Sequence, residues 1–428
     1  MTMAAALGLA PVRRVLDNGA VVVVKETHTT PAVTISAAVR AGSIHEPDDR
    51  LGLANLLSRV IDRGTANLSA DQIAEALDFR GVSLSTVTTR HMLLVGCTCL
   101  AEDFDFVLAL IGDMLVAPTL PADEVARRRD ELITAIRQDQ DNPAAVAMEG
   151  VFSQLYPDGH PYGRPSKGTV RSVEALDRAA LSAFHAALFA PSVLSLVIVG
   201  DVESTQGVDA AARVFGSWVA PAPPPVVLAS PSAGRTRRRS VVTMMNKSQA
   251  DIAYGFTTLP RSDPRFDAFT LMNNALGQYS IGGRLGDSIR ERQGMAYYAF
   301  STFEGDVIES PLIVRAGVDP ANVDRAVASI DEEIVKIARE GLGEEELADC
   351  KRYLVGSMPR MLETNGSIAR FLHTAEFFQL GLDYDLRLPE RLAAVTLDEA
   401  SAAAATLTPD RAALTIAGPY PPPVRQDA

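Results

Sequence analysis

LSLVIVGD at residues 194–201 and LTIAGP at 414–419 read as two versions of one strand, and their recurrence decides the fold. Each is a short apolar run closed by a glycine, the pattern of a strand buried on both faces. Before the first lie strands at 20–25 (AVVVVK) and 32–40 (AVTISAAVR) and a helix at 51–63, whose apolar residues at 53, 56, 57, 60 and 61 keep helical spacing up to Gly64. A second helix starts at Ser69, with Gln72 completing a capping box, and runs to about Phe79. Strands at 82–88 and 91–100 and helices at 103–116, 121–140, 143–155 and 176–188 follow, and a further helix (205–216) comes after the closing strand. The second half repeats the order. Strands at 240–246 and 250–257 precede helices at 265–277 and 284–293, then strands at 295–303 and 309–316. Helices at 320–340, 343–363, 366–379 and 396–406 lead to the final strand at 412–417. A period of about 210 residues points to duplication. Strands first and helices after, twice over, give an α+β fold of two homologous domains, each a mostly antiparallel sheet with helices packed on one face. VAPAPPPVVLASPSAGRTRRR, 219–239, rich in Pro, Ala and Ser, separates them as a linker. The domains expected are therefore 11–218 and 240–418.

Composition agrees and removes several function classes. At 428 residues the chain is too long for one ordinary core, and 47% hydrophobic with 22% charged residues describes a globular protein. A net charge of -13 repels phosphate, so nucleic acid is not an expected partner. No stretch reaches the roughly 18–20 uncharged apolar residues of a membrane span, so no membrane partner is expected either. In MTMAAALGLAPVRRV the arginines follow the apolar run, the reverse of a secretory signal. Three cysteines are too few for a disulfide framework, and Cys97 and Cys99 alternate on one strand as buried thiols sharing a face. A cytoplasmic location fits, with a processed, exported chain as the open alternative.

Residues able to carry chemistry are few. None of His28, His45, His91, His160, His185 and His373 pairs with another at i, i+4, and none stands near a cysteine at zinc-ligand spacing. There is no G-x-S-x-G elbow and no Cys-His pairing. GQYSIGGRLG, 277–286, follows a helix and lacks Gly-Lys-Ser/Thr, which makes it a turn rather than a phosphate cradle. RLGDSIRERQGMAYYAFSTF, 284–303, is a short helix stopped by Gly294 and followed by a strand. It offers the planar, permanently charged fork of Arg290 and the phenol donors of Tyr297 and Tyr298, which alternation sends to opposite faces. Packing of the tyrosines and a macrodipole role for Arg290 are the structural alternatives.

GSIHEPDDRLGLANLLSRVIDRGT, 42–65, resembles the signature region of the pitrilysin/insulinase family of zinc metallopeptidases, whose subunits are similar to those of the mitochondrial processing peptidase. Family members place H-x-x-E-H on this helix, two imidazoles for zinc and a glutamate to activate water. The frame is kept at Gly42, Ser43, Glu46, Gly52, Leu53, Ala54, Leu56, Leu57, Gly64 and Thr65, while the histidine positions hold Asn55 and Arg59 and the glutamate position holds Ser58. The family's third ligand, a glutamate on a later helix, corresponds to Ala135 in RRRDELITAIRQDQDNP, 127–143. GHPYGRPSKGT, 159–169, and the closing strand at 194–202 also match, so the resemblance spans nearly all of 11–418.

A second motif carries the other half of the resemblance: IRERQGMAY, 289–297, matches the family pattern L-R-E-x-x-G-x-A-Y and transfers its arginine and tyrosine to Arg290 and Tyr297. In the family these bind the scissile carbonyl and the oxyanion formed from it. The resemblance therefore implies a subunit without zinc that forms half of a clamshell with a homologous zinc-bearing chain. That heterodimeric zinc metalloendopeptidase would degrade or process unfolded peptides, with zinc in the partner and no cofactor in this chain. No activity is expected of the chain alone. The alternative the family offers is a peptidase-like structural or assembly subunit without proteolytic role.

Overall fold

Two closing glycines explain why the strand pattern had to be duplicated with its punctuation. The computed structural model describes residues 8–232, 236–278 and 282–421. The start of the N-terminal apolar run, the 233–235 part of the linker and the 279–281 part of the Gly-rich turn lie outside the described residues. The first sheet contains β1 (Val12–Val15), β2 (Val21–Glu26), β3 (Ala32–Val39), β4 (Ser85–Thr88), β5 (Leu93–Leu100) and β6 (Leu194–Gly200), in the order β1-β2-β6-β3-β5-β4. The second contains β7 (Arg238–Thr243), β8 (Ala250–Thr257), β9 (Ala296–Phe303), β10 (Pro311–Val318) and β11 (Ala413–Gly418), in the order β7-β11-β8-β10-β9. In each, the closing strand inserts parallel to the first strand of the repeat (β2∥β6, β7∥β11) and antiparallel to the next (β3, β8). Gly200 and Gly418 end these strands at φ +146° and +142°. A Cβ on Gly200 would stand 2.2 Å from the Ala32 carbonyl oxygen, and one on Gly418 2.6 Å from the Ala250 Cα. Only glycine lets the backbone run that close to the start of the neighbouring strand.

The two compact units are not the two linear halves. One comprises 1–136, 165–227 and 358–387, and the other 137–164, 228–357 and 388–428. The boundaries 11–218, 219–239 and 240–418 thus assign two helices to the wrong sheets. Pro143–Leu155 packs on β7, β8 and β11, and Asn365–Phe377 packs on β3 and β6. Each sheet carries its main helical layer on one face, as the pattern predicts, and a single helix from the other repeat covers its second face. Periodicity gives a helix an apolar stripe but does not name the sheet that stripe will meet. The sequence reading also overlooked β1, the short Val170–Glu174 helix and the Tyr384–Ala394 helix, while the helix read at 176–188 is Arg178–Leu188.

The exchanged helices are fixed by polar contacts as well as by apolar burial. In the second unit, Gln154 Nε2 donates to Thr415 Oγ1 at 2.7 Å and to the Leu414 carbonyl at 3.2 Å. In the first unit, Ile368, Ala369 and Leu372 pack on Val23, Val197 and Val199. The Arg13 fork binds Glu376 at 2.8 Å through two nitrogens, and buried His373 donates from Nε2 to the Ser36 carbonyl at 3.0 Å. Cys97 and Cys99 share the buried face of β5, and Cys350 is buried too; all are free thiols. Burial pushes the Cys97 thiol up to about 12 and the Cys99 thiol up to about 11. No helix among the described residues is long and apolar enough to cross a membrane.

The Leu53–Val60 helix is anchored by a buried acid. Glu46 accepts from the Gly52 amide at 2.9 Å and the Ala54 amide at 2.8 Å, so its charge meets the positive end of the helix. Gly52, at φ +96°, faces Gly168 at φ +76°. A Cβ on Gly52 would stand 2.7 Å from the Lys167 carbonyl, and one on Gly168 2.4 Å from the Leu51 carbonyl. The 42–65 and 159–169 motifs are therefore one backbone-to-backbone junction.

Two stability predictions follow from these anchors. Glu46→Ala strands buried helix amides and removes a charge-assisted cap; urea denaturation should register a loss of about 2–3 kcal/mol. Burial lowers the His373 imidazole to about 4, so the folded chain resists a proton that the unfolded chain accepts near the ordinary value of 6.5. Stability from this residue is complete above about pH 6.5 and drains as pH falls toward 4, by roughly 1.4 kcal/mol per pH unit at most. Urea midpoints measured across that window should show a shallower acid slope in His373→Gln than in the wild type.

Candidate functional site

The Leu53–Val60 helix buries Leu53, Leu56, Leu57 and Val60 against the core of the first unit, which leaves Asn55 and Arg59 together on its half-exposed face. Arg59 Nε donates to Asn55 Oδ1 at 2.9 Å. The residues standing where two imidazoles would bind a metal are thus bonded to each other. Ser58, buried at the glutamate position, turns its hydroxyl back on the Asn55 carbonyl at 2.8 Å, where it has no proton-accepting role toward a water. Ala135 lies half-buried on the Ala122–Gln140 helix. One turn before it, Glu131 is held below the usual carboxylate range first by its hydrogen bond from Arg128, with Arg59 contributing a smaller electrostatic share. Asn55, Ser58, Arg59 and Ala135 offer neither an imidazole nor a carboxylate, and these residues do not fit zinc. Among the described residues, no group of three or more His, Cys, Asp or Glu could hold a metal ion.

In the second unit, the segment ahead of Gly294 is a helix of unusual pitch. Gly286–Arg292 is a π-helix, as is Asn274–Gln278 before it; π turns cost hydrogen-bond geometry and recur at functional sites. Arg284 fixes the start of this segment. Its Nε donates to Glu346 Oε1 at 2.7 Å, its Nη2 to Glu346 Oε2 at 2.6 Å and to the Gly341 carbonyl at 2.9 Å. At the other end, Gln293 Nε2 donates to Ser329 Oγ at 3.0 Å, and Gly294 turns the chain at φ +61°. Arg290 lies on this clamped segment. It is 40% exposed, and its only described ionic neighbour is the adjacent Glu291, at 3.4 Å and itself exposed.

Tyr297 sits on a β-bulge. Along β9 and β10 the register runs Phe300↔Arg315, Ala299↔Ala316 and Tyr298↔Gly317, then jumps to Ala296↔Val318. Tyr297 is the extra residue. Strict alternation would place it on the core face with Ala299 and Phe303; the bulge gives that place to Ala296 and leaves Tyr297 85% exposed at the sheet's edge. Bulges re-aim a side chain in this way beside functional sites. Tyr298 is committed elsewhere: its hydroxyl donates to Asp251, and its ring lies across Gly317, where a Cβ would stand 2.6 Å from the ring. Between the rival phenols, only that of Tyr297 is left without a hydrogen bond among the described residues. The 286–292 segment packs directly on β9, so Arg290 and Tyr297 stand on adjoining elements without bonding to each other. Sequence reading missed the bulge and the roles of Glu46, Arg284 and Glu346. Glu46 had a signal, an acid shortly before a helix start. The bulge had none.

Comparison with known proteins agrees with this geometry. Residues 21–169 match the family model described as Insulinase (Peptidase family M16), and 175–354 match the one described as Peptidase M16 inactive domain. An "uncharacterized zinc protease" of Mycobacterium tuberculosis is 27% identical over 423 residues, covering 97% of this chain and 94% of that one. A "non-peptidase homolog" of Helicobacter pylori is 22% identical over 373 residues, covering 84% and 82%. Among solved structures, a peptidase M16 inactive domain from Pseudomonas fluorescens superimposes with a TM-score of 0.90 at 23% identity, over 96% of this chain and 98% of that one. A protease from Helicobacter pylori gives 0.88 at 18% identity, over 96% and 99%. With family models matching 21–169 and 175–354, the chain belongs to the insulinase family of peptidases, family M16.

Proposed function

We propose that this chain is a non-catalytic, substrate-holding subunit of a two-chain zinc endopeptidase, whose metal is carried by a homologous partner. Tyr297 is the observation that carries the reading: a phenol pushed out of the strand's alternation by a bulge, exposed and unpartnered, while its neighbour Tyr298 is fully committed. Arg290, on a clamped segment packed against the same strand, supplies a guanidinium with donors to spare. Arg290 and Tyr297 donate to the carbonyl oxygen of the peptide bond under attack and to the oxyanion it becomes. Donors aimed at developing charge are worth more than they would be in water. The Asn55–Arg59 hydrogen bond supports the division of labour, since the first unit's own motif positions offer neither an imidazole nor a carboxylate. The substrates are unfolded peptides, whose backbone is free to enter a chamber between two chains.

Purified alone, the chain should take up no stoichiometric zinc by metal analysis and cleave no peptide; one zinc per chain would sink the proposal. Mixed with a family member bearing an intact H-x-x-E-H, it should raise peptide cleavage. Arg290→Ala or Tyr297→Phe should each lower kcat of the mixture by roughly 100–1,000-fold, the cost of an oxyanion donor, without preventing pair formation. Tyr298→Phe should leave kcat nearly intact. Full activity in both the Arg290 and Tyr297 mixtures would leave this chain an assembly role only.

A further inference from the structure

On the face of the second sheet that the Pro143–Leu155 helix partly covers, three residues fall in one row across β9, β10 and β8: Tyr298, Gly317 and Asp251. The next row holds Phe300, Arg315 and Ala253. Because Gly317 has no side chain, the Tyr298 ring crosses it to reach the Asp251 carboxylate. Gln249 Nε2 donates to the other oxygen of Asp251 at 3.3 Å. Asp251 is therefore buried and bonded by two neutral donors. Arg315 is left half-buried, its guanidinium 5.6 Å from the Phe300 ring centre and 5.9 Å from that of Tyr298, with no carboxylate in ion-pair contact among the described residues. The rings hold the cation in place, and its guanidinium also donates to the Tyr298 hydroxyl that bonds Asp251.

These side chains line a cavity of about 420 Å³. Lys247 stands on its wall, paired at 2.7 Å with Asp141, whose carboxylate is exposed enough for water to weaken the pair. The lining thus carries two cations, Lys247 and Arg315, against one carboxylate, Asp251. The volume is that of one side chain with its flanking backbone, at the small end of ligand pockets. The cavity also opens one residue from Tyr297, on the same edge strand.

We infer that this cavity is a subsite for an acidic side chain of the peptide held at Arg290 and Tyr297, with the Arg315 fork binding the carboxylate and the Phe300 and Tyr298 rings packing its methylene stem. The inference rests on the substrate-holding reading and adds a preference to it: peptides carrying Asp or Glu are retained over their amides. Arginine suits this use because its planar donors match a carboxylate in pairs.

The test uses the full chain and acetylated, C-terminally amidated peptides labelled for fluorescence anisotropy, with one glutamate moved along an otherwise neutral sequence and glutamine in its place as control. At one position glutamate should bind about tenfold tighter than glutamine at low salt, and the preference should fall as salt is raised. Arg315→Gln should bring the ratio to about one while leaving the glutamine peptide's Kd unchanged. Arg315→Lys should retain part of the ratio, because charge survives but the fork does not. Lys247→Gln, on the cavity wall, should reduce the ratio less than Arg315→Gln does. A wild-type ratio of one at every position, or a ratio that survives Arg315→Gln, overturns the subsite while neutral-peptide binding keeps the holding role intact. Failure of both peptides to bind the wild type removes the holding role and the subsite with it. If Arg315→Gln does not fold, as judged by circular dichroism, the Lys247 variant and the salt dependence decide: a ratio unmoved by either overturns the proposal.

Discussion

The closing strand of each repeat has to enter between a parallel and an antiparallel neighbour and leave with its backbone close against the start of the antiparallel one. Gly200 and Gly418 meet that constraint, and most of the architecture is built around it. The insertion makes β6 and β11 interior strands, buried on both sides, and so each sheet needs cover on two faces. The main helical layer supplies one face. For the other, each sheet takes a helix from the opposite repeat, secured by Gln154 in one unit and by His373 and Glu376 in the other. Duplication made this exchange available, since two copies of one pattern present two equivalent faces.

The polar residues of the Leu53–Val60 helix are bonded within the helix itself. Asn55 and Arg59 satisfy each other, Ser58 bonds its own helix, and Glu46 still caps the helix start. Such a helix keeps its packing role whatever stands on its half-exposed face, because the apolar stripe and the cap do not involve positions 55 and 59. The second unit shows the opposite balance. Its irregularities, a π-helix and a bulge, lie where the candidate donors lie, and the half-buried Arg284–Glu346 pair clamps the start of the π-helical segment. Departure from regular geometry at a site with fixed surroundings is how a fold aims a side chain.

Much of this was legible residue by residue. The alternation of Cys97 and Cys99, the capping box at Ser69 and Gln72, the stop at Gly294 and the repeat of the closing strand all reflect local rules of period and backbone freedom, and the structure follows them. Asn55, Ser58, Arg59 and Ala135 were singled out only through the family resemblance, which sets them at its metal-motif positions. Tyr297 shows the limit. Alternation separated it from Tyr298 but could not show the bulge that gives the core-face place to Ala296 and leaves Tyr297 exposed.

The sequence by itself determined the α+β class, the twofold repeat, the family frame and the absence of metal-binding chemistry from the signature helix, because each depends on residue type and short-range spacing. Tertiary structure alone decided which sheet each exchanged helix covers, where β9 bulges, and that Tyr298, Gly317 and Asp251 fall in one row beside Arg315. Those features depend on strand register and on contacts between distant segments. A one-residue shift in register reverses the face of every side chain beyond it, and no local pattern in the sequence records that shift.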